Sequence, residues 1–150
     1  MVRIFNEHIT FGYIDFISNE TLRCLNSIKS FEINNKNKSY SVLQGDLYSK
    51  DGSVLLKYSC GKEANSFVAP NNIKSIGYGA FFYCDKLTAI TLSNNITSIE
   101  DYAFYGCKNL KNITFIGTID QWDKVKKGFA WSHNAPVSGV ICNNGKIDLL

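Results

Sequence analysis

The chain has 150 residues, 45% of them hydrophobic and 19% charged, with ten Phe, eight Tyr and two Trp. That composition supports one domain with a sizeable core and excludes a disordered chain. A formal net charge of +3 is too weak to make nucleic acid a partner, and no apolar run of about 18 residues is present for membrane insertion.

The start, residues 1–8, lacks the apolar core of a secretory leader, so the sequence is expected to be either intracellular or a piece of a longer exported protein. Residues 14–33 follow with Ile14, Ile17, Leu22, Leu25, Ile28, Phe31 and Ile33 at spacings that return downstream. Together, residues 1–36 read as an N-terminal segment with one degenerate repeat. Residues 37–72 read as a hairpin insertion, since β-forming runs flank Asp51-Gly52, a two-residue turn signal.

Residues 73–95 and 96–118 align without a gap, with nine of 23 positions identical. Ile73, Ile76, Ala80, Phe81, Cys84, Leu87 and Ile90 recur as Ile96, Ile99, Ala103, Phe104, Cys107, Leu110 and Ile113. Leu87-x-x-Ile90-x-Leu92 ends in alternation and predicts a short strand, while Ala80-Phe81-x-x-Cys84 predicts a helical turn. One such coil cannot bury its own apolar side, so coils stack and like residues form ladders. The predicted core ladder is Ile76, Phe81, Cys84, Leu87 and Ile90 on Ile99, Phe104, Cys107, Leu110 and Ile113. Ala89, Thr91, Asn112 and Thr114 point outward from the predicted strands and are the candidate ligand-facing positions, with Ser30 and Glu32 expected on the same face. Residues 119–150 form a cap, with Trp122 and Trp131 expected to plug the open end of the core.

The pattern Ile-x-x-Ile-x-x-x-Ala-Phe-x-x-Cys-x-x-Leu-x-x-Ile-x-Leu resembles the BspA-like leucine-rich repeats, 23-residue units of bacterial and protist proteins. The hairpin segment and the tail, with Gly117-Thr118, Gln121-Trp122 and Trp131, also resemble elements found in such arrays. Ala69-Pro70, Ser93 and Ile116 depart from the usual pattern at loop positions. The resemblance implies a right-handed leucine-rich-repeat solenoid of stacked parallel strands, with a β-hairpin insertion and a mixed α/β C-terminal cap. It also implies a place at the cell surface or in secretion. About three coils are expected.

The cysteines, Cys24, Cys60, Cys84, Cys107 and Cys142, are odd in number and contain no C-x-x-C pair, so neither a disulfide framework nor a zinc site is predicted. Cys84 and Cys107 are expected about 5 Å apart in a stacked ladder, but with parallel Cβ vectors, so all five thiols are expected reduced. His8 and His133 lack the surroundings of a Cys–His nucleophile, and the carboxylates are scattered without a catalytic motif. No enzyme activity, cofactor or metal is expected. The predicted function is binding of a protein or of a host or matrix surface ligand; a purely structural spacer or cap is the second reading.

Overall fold

A coil of about 23 residues with one apolar side needs a neighbour above and below it. The computed structural model, which describes residues 2–149, meets that need by stacking coil on coil. At the N-terminal end β1 (Val2–Phe5) lies antiparallel to β2 (His8–Phe11). The chain then passes through α1 (Asn19–Arg23), capped by the Ser18 hydroxyl accepting from the Thr21 N–H at 3.1 Å. It returns as β3 (Ser30–Ile33), parallel to β2. Next, β4 (Tyr40–Leu43), β5 (Asp46–Ser49) and β6 (Val54–Lys57) make an antiparallel meander.

From β6 onward each coil supplies two strands. They are β6 with β7 (Ser66–Val68), β8 (Ser75–Ile76) with β9 (Ala89–Ser93), and β10 (Ser98–Ile99) with β11 (Asn112–Ile116). After α2 (Ile119–Asp123), the last coil gives β12 (Lys126–Lys127) and β13 (Gly139–Cys142), and β14 (Gly145–Asp148) folds back antiparallel onto β13. One sheet has the order β12-β10-β8-β6-β5-β4 and the other β14-β13-β11-β9-β7. β9 and β11 are adjacent and parallel, with Ile90 opposite Ile113 and Leu92 opposite Phe115. This is the expected solenoid.

It is longer than the sequence suggested: about six turns, counting β2, β3, β7, β9, β11 and β13 as their strands, where roughly three coils were expected. The extra turns keep the geometry and lose the motif. β7 offers only Phe67 to the core, and β13 only Val140 and Cys142. The hairpin also differs in detail. Its connection, residues 50–53, is four residues long, because the Asp51 carboxylate accepts from the Ser53 N–H (3.1 Å) and the Ser49 hydroxyl (2.7 Å). Gly52, at φ +72, supplies the left-handed residue that the turn requires. One arm of this hairpin, β6, is also a full member of the parallel ladder through β8.

The segment 79–84 is a run of hydrogen-bonded turns, not a helix. Phe82 N–H donates to the Gly79 carbonyl (3.0 Å) and Cys84 N–H to the Phe81 carbonyl (3.0 Å), and Tyr83 at φ 53 ends the run. Main-chain bonds tie these turns to the next coil: Tyr58 N–H to the Ala80 carbonyl (3.0 Å), Phe81 to Ala103 (2.8 Å) and Phe104 to Trp131 (2.7 Å). The rings of Tyr58, Phe81, Phe104 and Trp131 consequently follow one another along the axis at centroid distances of 5.0, 5.2 and 6.0 Å. A second, N-terminal cluster of Ile9, Phe11, Leu22, Ile28, Phe31, Tyr40 and Leu47 fills the first coils.

Phe104 has no exposed surface and touches rings on both sides. Phe104→Ala is expected to cost about 3–5 kcal/mol in urea unfolding monitored by circular dichroism. A loss below about 1 kcal/mol would contradict the ring column.

Candidate binding face

Alternation along β7, β9, β11 and β13 sends Phe67, Ile90, Leu92, Ile113, Phe115, Val140 and Cys142 into the core. The other residues face outward. Cross-strand register sets Val68, Thr91, Thr114 and Ile141 in one row, and Ser66, Ala89 and Asn112 in a second. Asn112 is exposed, and Ala89, Thr91 and Thr114 are half-buried between neighbours. None of these side chains is charged. The rows end on exposed apolar groups that the sequence reading passed over: Val68 is 68% exposed, Ile141 46%, and Ile116, opposite Ser93, 49%. Ile116 lay within reach of the pattern, two residues beyond Thr114.

Ser30 and Glu32 do not join this face, contrary to expectation. They sit on β3, in the separate three-stranded sheet. There Ser30 is hydrogen-bonded to His8 Nδ1, and the Glu32 carboxylate accepts from Thr10 Oγ1 at 3.3 Å. The cause lies in the 36 residues that separate Phe31 from Phe67: the loop before β5 takes up the outer edge of β3, with Phe31 N–H donating to the Gly45 carbonyl at 2.8 Å.

Ile76, Phe81, Cys84, Leu87, Ile90, Ile99, Phe104, Cys107, Leu110 and Ile113 are all buried. Trp122 is buried on α2, whose start is a capping box between Thr118 and Gln121. It packs against Phe115 (5.3 Å) and against the half-buried Trp131 (6.0 Å). His133 is exposed and stacks on Tyr105.

The expectation of five reduced thiols is corrected. Cys60 and Cys84 form a disulfide, with Cα atoms 4.9 Å apart, while Cys24, Cys107 and Cys142 are free. Parallel Cβ vectors do keep Cys84 from Cys107, its equivalent 23 residues on. Cys60 escapes that constraint because it lies 24 residues from Cys84, one out of register. The in-register place belongs to Gly61, where a Cβ would approach the Ser27 carbonyl to 2.1 Å. Cys107 is inert: burial pushes its thiol up to about 12, and its Sγ donates to the Phe81 carbonyl.

Two buried charges were also missed. Asp46 accepts from the Ser59 N–H (2.8 Å) and Lys62 Nζ (2.7 Å), and burial raises its pKa despite both partners. Lys57 is buried on the inward side of β6, donating to Asn26 Oδ1 (3.2 Å) and the Gly79 carbonyl (3.4 Å). Burial lowers its pKa to about 8. The signal was present, since Lys57 follows Leu55 by two residues and so shares its inward side. Among the described residues no group of three or more His, Cys, Asp or Glu side chains is placed to hold a metal, and no helix is long and apolar enough to cross a membrane.

Residues 57–127 match the family model of a BspA type leucine rich repeat region. Among solved structures, a leucine-rich repeat protein from Eubacterium ventriosum is similar at a TM-score of 0.75 and 23% identity. That match covers 92% of this chain and 36% of the other. The pneumococcal vaccine antigen PcpA is similar at a TM-score of 0.55 and 19% identity, over 76% of this chain and 33% of that one. The chain thus spans about a third of the length of these solved relatives. No curated protein matches its sequence significantly.

Thiol titration in denaturant is expected to find three free thiols, not five. Reducing the 60–84 loop should cost about 3 kcal/mol of stability, from restored freedom of the unfolded chain. A fully reduced chain of unchanged stability would contradict the pairing. Lys57 gives a pH signature. Its folded pKa is depressed, so the unfolded state binds the proton more tightly between about 8 and the ordinary 10.5. The penalty for burying its charge is fully present below pH 8 and is relieved as pH rises through that window. Relative to Lys57→Met, the native protein should gain about 3 kcal/mol between pH 8 and 10.5; a flat difference would place the ammonium in water.

Proposed function

We propose that this chain, which over residues 57–127 belongs to the BspA-type leucine-rich-repeat family, is a non-catalytic module that binds a protein or a host or matrix surface ligand. The contact face is the outer side of β7, β9, β11 and β13, centred on Ala89, Thr91, Asn112 and Thr114. The observation that carries this reading is the row Val68–Thr91–Thr114–Ile141, uncharged, regularly spaced and turned away from the core. Depletion of charge is a compositional mark of the centre of protein contact surfaces, and this row carries none. Repeat solenoids use such extended faces for recognition.

The protein works at the cell surface or outside the cell. The Cys60–Cys84 disulfide supports an oxidising compartment, and the family resemblance agrees with it. Residues 1–36, 37–72, 73–118 and 119–150 act as N-terminal coils, hairpin coil, repeats and cap, with Trp122 and Trp131 closing the core. A second reading, a spacer or terminator within a larger protein, draws on the chain spanning about a third of its solved relatives.

The test is to substitute Thr91 and Thr114 together by Arg, then compare capture on protein and glycan arrays with the native chain. Binding should fall sharply while the melting temperature holds. Arg at Lys86 and Asn109, on the exposed edge, should leave capture nearly unchanged. The opposite pattern would move the site off the sheet.

A further inference from the structure

β7 is the outermost strand of its ladder, with β9 on one side and, among the described residues, no strand on the other. The Asn65 carbonyl accepts from the Thr88 N–H (2.7 Å), and the Ala69 N–H donates to the Thr91 carbonyl (2.8 Å). Main-chain groups of residues 65, 67 and 69 therefore face β9. Strand alternation turns the N–H and C=O of Ser66 and Val68 to the open side, and among the described residues nothing pairs with them. The opening exists because Gly45, and not β7, occupies the outer edge of β3.

What lies beyond the free edge is a groove of about 600 Å³, bounded by Gln44, Asp46, Tyr58, Lys62, Val68 and Pro70, within the usual size of ligand clefts. Its two charges cancel: Lys62 Nζ lies 2.7 Å from Asp46 and also 4.1 Å over the Tyr58 ring. Edge strands are ordinarily blunted by charge or proline. Here Ser66, Phe67 and Val68 carry neither, and Pro70, which has no N–H to offer, ends the strip two residues later.

We propose that this groove takes an extended, uncharged segment of a partner protein, which adds to β7 as a further strand. Ser66 and Val68 supply two main-chain donors and two acceptors. Alternate side chains of the incoming segment pack inward beside Tyr58 and Phe67, which favours apolar, β-branched residues. Charge selects the same class, since a charged side chain would gain no counter-ion from a pair that is already neutralised. The remaining side chains come to lie beside Val68 and extend the outward row by one rung, so the groove is continuous with the binding face. It nevertheless uses the main-chain groups of Ser66 and Val68 where the face uses side chains centred on Thr91 and Thr114, so either site can fail without the other.

A blocked synthetic peptide with the sequence of residues 87–93, the strand that a neighbouring coil would present, is a suitable probe. Titrated into the isotopically labelled full chain, it should shift and protect the amides of Ser66 and Val68, slowing their hydrogen exchange roughly tenfold or more. Val68→Pro removes one groove-facing donor and no native hydrogen bond, so binding should drop about tenfold with the melting temperature retained. Should that variant misfold, the peptide N-methylated at alternate amides tests the same main-chain bonds on the native protein and should not bind. Equal binding of the methylated peptide, protection located away from residues 66–68, or no binding at millimolar peptide would overturn the proposal.

Discussion

The main-chain hydrogen bond that one coil donates to the next holds the molecule in register. Tyr58 to Ala80, Phe81 to Ala103 and Phe104 to Trp131 are the same bond made three times. Each contributes about 1 kcal/mol net, too little to hold a coil alone. Their effect is geometric. Each sets an aromatic ring over the next, and ring burial with edge or tilted contact supplies most of the energy. Ala80 and Ala103, the acceptors of two of these bonds, are both fully buried.

The same register produces the outward face. Once Ile90 lies opposite Ile113 in the core, Thr91 has no freedom but to lie opposite Thr114 outside. Packing thus arranges side chains that take no part in packing, and the face changes chemistry without disturbing the fold. Val68 and Ile141 at the ends of the row show this freedom.

Much of this was legible because residues 73–118 repeat at fixed spacing, and identity between copies reports burial at each position. The inward and outward positions of β9 and β11, the two Phe of the column and the fold class all follow from that. What could not be read were coils that keep the hydrogen-bond register and discard the side-chain motif. Tyr58 substitutes for Phe81 and carries no flanking Ala, so its coil looked like an insertion. β2 likewise lies before the first recognisable spacing, yet pairs in parallel with β3. Cys60 was misjudged for a related reason: ladder logic applies to residues 23 apart, and a bond at 24 falls outside it. The membership of Ser30 and Glu32 in another sheet depended on Gly45 intruding at a distance in sequence that no local pattern encodes.

Both departures from strict repetition bear on the coil running from β6 to β7, and they act together. The intrusion of Gly45 leaves β7 with a free edge, which by itself would be the weakest strand of the ladder, three residues long. Free short strands fray, and a frayed edge binds poorly because ordering it consumes the energy of each new contact. The disulfide from Cys60 to Cys84 ties this coil to the next one, while Asp46 and Lys62 pin Ser59 and the hairpin beside it. β7 is anchored on its N-terminal side by the covalent link and on its C-terminal side by Ala69 bonding to Thr91. An edge held at both ends presents its donors and acceptors already in strand geometry. The coil with the open edge is therefore also the one with a covalent tie, and its open side is built to stay extended.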